Sequence, residues 1–176
     1  MSMENVQELL EDQLKDLYNA ENQLLKALPK MAKRSSLDVL RKAFEEHTEQ
    51  TRRQIGRLQE CGQSLGIKLT GKTCAAMEGL IEEGAEAMDE HEDGAMLDVA
   101  MVAAAQRVEH YEISAYGTAR TLAEHMGESQ VAKLLQTTLK EESLTDEKLT
   151  KISVGKLLPA MMKGEQSASG TRSRKR

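Results

Sequence analysis

The segment QRVEHYE, residues 106–112, places Gln106, Glu109, His110 and Glu112 close together in a stretch whose apolar spacing reads as helix. Glu109 and Glu112 are three residues apart, and farther along Glu142 and Asp146 are four apart. On a helix each pair presents carboxylate oxygens from one face. His47, three residues before Gln50, adds an imidazole nitrogen, and Glu21 adds another carboxylate. Hard oxygen donors with a single nitrogen and bridging capacity suit a pair of iron or manganese ions, whereas zinc alone takes a smaller, tetrahedral set. His110 points farther from the core than Glu109 and reads as a surface residue or as one that supports the ligands from outside.

Helical periodicity must bring these groups together. The stretch 4–33 carries Leu10, Leu14, Leu17, Glu21, Leu24 and Leu28 on one face, and Pro29 should kink or end it. Ser36 reads as the N-cap of a second helix over 37–63, with Leu37, Leu40, Phe44, His47, Thr51, Ile55 and Leu58 as its stripe and Gly62 and Gly66 as its stop. Residues 64–95 read as a long connection with a short helical pattern through Met77, Leu80, Ile81 and Met88. A third long helix, 95–126, aligns Val99, Val102, Gln106, Glu109, Ile113 and Tyr116, with Gly127 terminating it. A fourth, 129–153, aligns Leu135, Leu139, Glu142, Asp146 and Leu149.

Two short links and one long one predict an all-α, antiparallel four-helix bundle. Its long crossover would contain a short extra helix and leave the second and third long helices parallel. The bundle domain is expected over 1–160, with a disordered basic tail over 161–176. Hydrophobic residues make up 39% of the chain and aromatics 2%, so its core must be built from Leu, Ala, Met, Val and Ile. With 29 acidic against 24 basic residues and a net charge of -5, the bundle is not expected to bind nucleic acid. No apolar run approaches the roughly 20 residues of a membrane span, and the N-terminus lacks a secretory pattern. A cytoplasmic protein with no membrane partner is therefore expected, its Cys61 and Cys74 reduced and outside the site. The methionines read as core filler.

Glu21, Glu109, Glu142 and Asp146 interrupt the centres of apolar stripes, His47 lies a little to one side, and Glu112 flanks its stripe. One buried carboxylate is tolerable, but each costs several kcal/mol unless it is paired or metal-bound, and no inward set of Lys or Arg matches them. Divalent cations would neutralise such a cluster.

LYNAENQLLKALPKMA, AFEEHTEQT, CAAMEGLIEEG, AAAQRVEHYEISAYGTARTLA and LKEESLTDEKLT occur in this order across residues 4–153. Through them the chain resembles the ferritin-like family of the bacterial stress proteins YciE and YciF. The resemblance implies a rubrerythrin-like four-helix bundle, a homodimer and a dinuclear metal centre of iron or manganese. It places the ligands at Glu21, His47, Glu109, Glu112, Glu142 and Asp146. Two departures stand out: the usual Glu-x-x-His of the second and fourth helices is here His47-x-x-Gln50 and Glu142-x-x-x-Asp146. Gln50 stands where relatives are expected to carry a carboxylate, which weakens or deletes one metal position.

The leading functional expectation is a stress-associated metal-binding protein with oxygen or peroxide chemistry, Tyr111 or Tyr116 supplying a nearby proton or electron. The alternative is a non-catalytic structural or interaction protein whose metal cluster has become a hydrogen-bonded polar core. Iron storage would need a large shell. Without CxxC pairs the chain has no second iron domain to deliver electrons, which argues against a self-contained peroxidase of the full rubrerythrin type.

Overall fold

The structure, a computed structural model, describes residues 5–162. Helix α1 spans Val6–Arg34, α2 Asp38–Leu65, α3 Ala75–Glu90, α4 Ala95–His125 and α5 Ser129–Ile152. A π-helical turn, Ser153–Leu157, follows α5, and helix resumes to residue 162. No strand occurs among the described residues, and no described helix is long and apolar enough to cross a membrane. The expected tail falls on residues outside those described, apart from Met161 and Met162, which are helical.

The four long helices form a ring in which α1 packs on α2, α2 on α5, α5 on α4 and α4 on α1. Cross-links give the directions of α2 and α5: Glu46 meets Lys148, Gln54 meets Glu142 and Arg57 meets Thr138, so the two run antiparallel. The three-residue links at 35–37 and 126–128 make hairpins of α1 with α2 and of α4 with α5. It follows that α2 and α4 are parallel and that residues 66–94 must travel the length of the bundle. Helix α3 lies within that crossover and packs outside the ring on α4 and α1.

Several helix ends differ from expectation for identifiable reasons. Pro29 does not end α1, because it is exposed while Leu28 and Ala32 on either side are held in the core. The N-cap position of α2 is Leu37, with no side-chain cap, rather than Ser36. Ser36 is drawn instead to buried Asp98 of α4, donating its backbone N–H at 2.9 Å and its hydroxyl at 2.6 Å, while the Leu37 N–H donates at 3.0 Å. Gly66 alone stops α2, at φ +68. Gly62 lies inside the helix, where a Cβ would come within 3.0 Å of the Leu69 side chain, so its role is to let the crossover fold back. Gly127 follows α4 at φ +78, as expected.

The apolar core is divided in two. Leu10, Leu14, Leu17, Leu58, Tyr116 and Leu135 anchor one half. Leu24, Leu28, Leu40, Phe44, Met101 and Leu149 anchor the other. Between them lies a buried polar layer to which every long helix contributes: Glu21, His47, Thr51, Gln54, Glu109, Glu112 and Glu142.

Candidate metal centre

Helical spacing builds this layer one face at a time. Helix α1 places Glu21 between Leu17 and Leu24, and α2 places His47 and Gln54 on the face that also carries Leu58. Helix α4 supplies Glu109 and Glu112, and α5 supplies Glu142. One donor atom from each of His47, Glu109, Glu112 and Glu142 lies within 4.8 Å of the others. Glu21 borders this group: its Oε1 accepts the Tyr116 hydroxyl at 2.5 Å, and its charge is felt by Glu109 and Glu112.

Two of the expected ligands are placed differently from the sequence reading. Glu112, read as flanking, is fully buried with both oxygens unpartnered. Small Ala105, Ala119 and Ala123 let α4 bury a broad face whose midline runs through Glu112 and Tyr116. Asp146 stays outside the group of four, on the half-buried edge of α5, where it accepts from Gln106 Nε2 at 2.8 Å and lies 3.6 Å from His110 Nε2. His110 itself is 70% exposed, in keeping with a surface role.

Acceptors outnumber donors in the layer. Glu21 Oε2, His47 Nε2, Glu109 Oε2, both Glu112 oxygens and Glu142 Oε2 are buried without hydrogen-bond partners among the described residues. Burial, followed by repulsion from the neighbouring carboxylates, holds the Glu21, Glu109 and Glu112 carboxyls well above their usual range. Burial likewise lifts Glu142 to about 8, although a hydrogen bond from Glu109 opposes the shift. The His47 imidazole is driven the other way, down to about 4, because burial disfavours its cation. At neutral pH it is therefore uncharged, with a lone pair available.

Gln50 has a use that its position as a lost carboxylate obscured. Its Oε1 lies 3.4 Å from His47 Nδ1, placed to accept a proton carried there, and in that tautomer the Nε2 lone pair faces Glu109 Oε1, 3.3 Å away. We expect Gln50→Ala to weaken metal binding by about tenfold or more while leaving the number of bound ions unchanged at saturation. Titration with Mn(II), read by paramagnetic resonance of the free ion, measures both.

Sequence reasoning missed Gln54, 1% exposed, whose Nε2 donates to Glu142 and, at 3.2 Å, to Glu141. The neighbouring Ile55 had claimed its place on the stripe, yet Gln54 falls seven residues after His47 and so shares its face. Arg57 was missed as well: it grips Glu141 through two hydrogen bonds, at 2.7 and 2.8 Å, and so is engaged outside the four-residue group. Of the two tyrosines, Tyr116 reaches the layer, whereas Tyr111 donates to Asp16 at 2.5 Å and sits 3.0 Å from Cys74 Sγ. A narrow crevice lined by Phe44, His47, Gln50, Glu109, Thr145 and Lys148 leads in between α2 and α5, with room for about one water.

Residues 5–160 match the family described as "Domain of unknown function (DUF892)". Protein YciF of Escherichia coli (strain K12) is 44% identical over 155 residues, which are 88% of this chain and 93% of that protein. The crystal structure of the E. coli stress protein YciF superposes with a TM-score of 0.84 at 44% identity, over 86% of this chain and 96% of that one. YcfI from Rhodopseudomonas palustris, for which a structural role is suggested, gives a TM-score of 0.82 at 41% identity, over 85% and 95% of the two chains. A protein from Xanthomonas campestris pv. campestris, 22% identical with a TM-score of 0.72 over 92% and 99% of the chains, shares the fold.

Proposed function

We propose that this chain, which belongs to the DUF892 family of YciF-like proteins, is a stress-associated protein that holds two divalent ions, iron or manganese, in the polar layer of its bundle and exposes them to dioxygen or peroxide. The observation that carries the reading is the set of buried acceptors without donors on Glu21, His47, Glu109, Glu112 and Glu142. Cations answer that chemistry: they neutralise the carboxylates, take the His47 lone pair and need no further donor. Those five residues would hold the ions. Asp146, engaged by Gln106 and close to His110, would support the edge of the site.

The bound ions would supply the electrons for reducing O₂ or H₂O₂. The protein's own contribution is to orient and to manage protons. Gln54 and Tyr116 steer Glu142 and Glu21 by hydrogen bonds. The Tyr116 hydroxyl, buried and held well above its normal pKa, keeps its proton at neutral pH and fixes Glu21 by donating a hydrogen bond to its Oε1. The apolar halves of the core on either side exclude bulk water from the layer.

Protein loaded anaerobically with Fe(II) is expected to consume oxygen in proportion to its iron, as read by an oxygen electrode, and Glu109→Ala to lose that uptake. Loaded protein that takes up no oxygen and no peroxide would leave the second reading, a structural protein. Its support is the web of hydrogen bonds from Gln54 and Tyr116, which can fix helix register without metal. The first reading also makes the protein a cytoplasmic homodimer. Sedimentation at micromolar concentration is expected to return a dimer, and a monomer or a cage-sized particle would contradict it.

A further inference from the structure

On the side of the layer away from the α2–α5 crevice, an apolar cavity of about 70 Å³ lies between α1, α3 and α4. Leu28, Met31, Ile81, Met88 and Val108 are among its walls, and buried Glu109 is the only carboxyl in its lining. The void exists because small residues meet there: a Cβ on Gly84 of α3 would sit 3.5 Å from the Ala104 Cβ of α4, leaving the half-buried side chains of α3 around a gap. With so little polar surface it does not favour water. A cavity of about 150 Å³ takes a benzene ring, so this one takes roughly three or four carbons. It is partly open to solvent, and the one cation in its lining, Lys30, is exposed and has no ion-pair partner among the described residues.

We propose that this cavity binds the alkyl end of an amphipathic carboxylic acid, with the anionic head at Lys30 and the chain directed toward Glu109. The lining explains both ends: apolar walls admit a hydrocarbon and reject a polar solute, while Lys30 selects an anion over a neutral head. The inference does not depend on metal, and it is tested on metal-free protein so that its failure and a failure of the metal reading are distinct.

The experiment is a titration of the full chain, carrying ¹³C-methyl methionine, with sodium octanoate below its micellar range. Saturable shifts are expected at Met31 and Met88, with exposed Met162 unmoved. Gly84→Leu, whose Cβ makes only ordinary contact and whose isobutyl group enters the void, should weaken binding by about tenfold or more. Lys30→Gln should weaken octanoate by about threefold or more yet leave 1-octanol unaffected. The proposal is overturned if Met31 and Met88 do not move, if Met162 moves with them without saturation, or if Lys30→Gln treats acid and alcohol alike. The wild-type titration decides alone should Gly84→Leu not fold.

Discussion

Glu112→Met is expected to lower bound metal to well below its wild-type level and, in the same protein, to stabilise the metal-free fold by about 1–3 kcal/mol. The two effects share one cause. Glu112 is fully buried between α4 and the other helices, and neither of its oxygens has a partner. Without metal its carboxyl stays in the core only by keeping a proton, and an unbranched apolar side chain of similar length removes that cost while filling the space. With metal, the same substitution deletes a central donor. A structural core carboxyl would behave differently: its replacement would break hydrogen bonds and destabilise the fold. Glu109→Met should also empty the site, but with less gain in stability, because Glu109 is hydrogen-bonded to Glu142 and faces His47. His110→Ala should change neither quantity, since the ring is largely exposed. Metal content after dialysis and urea denaturation of the metal-free variants read both axes; an unstable, metal-replete Glu112→Met would remove Glu112 from the site.

The second large effect concerns pH. In the metal-free protein the carboxyls of Glu21, Glu109 and Glu112 are raised and Glu142 is raised from 4.5 to about 8. A group raised in the folded state contributes stability that is complete below its unfolded pKa and is lost as pH climbs through the folded value. His47 has the opposite sign: lowered from 6.5 to about 4, it withdraws stability as pH falls through that interval. Above about pH 7.5, a unit beyond its unfolded value, the imidazole is largely neutral in both states and the carboxyls dominate. There the metal-free protein should lose about 1.4 kcal/mol per pH unit for each proton that the native layer holds and the unfolded chain does not. Metal loading should reverse the slope, because the ions compete with protons for the same oxygens and bind more tightly as pH rises. Thermal melts across that window with and without Mn(II) test this; matching, flat profiles would mean that the carboxyls are not a shared ion site.

The bundle was legible because its long helices carry leucine at helical spacing, and the site because acids break that spacing at Glu21, Glu109 and Glu142. The remainder depended on tertiary detail that periodicity blurs. On α5 the buried line runs through Leu135, Thr138, Glu142 and Leu149, one step from the line through Leu139 that would have brought Asp146 inward. On α4 the alanines hide the breadth of the buried face, so Glu112 looked marginal. Ser36 has the chemistry of an N-cap, but only the fold reveals Asp98 competing for it. Gln50 reads in the sequence as a missing carboxylate, whereas its contact with His47 suits it to hold that imidazole in place.

Elemental analysis of protein purified without chelator or affinity metal, repeated after anaerobic reconstitution with Fe(II) or Mn(II), tests the central claim most directly. The expected result is about two equivalents of iron or manganese per chain, as a dinuclear carboxylate bundle requires. Metal that stays far below one equivalent per chain after reconstitution would contradict it and leave Glu21, His47, Glu109, Glu112 and Glu142 as a proton-sharing polar core.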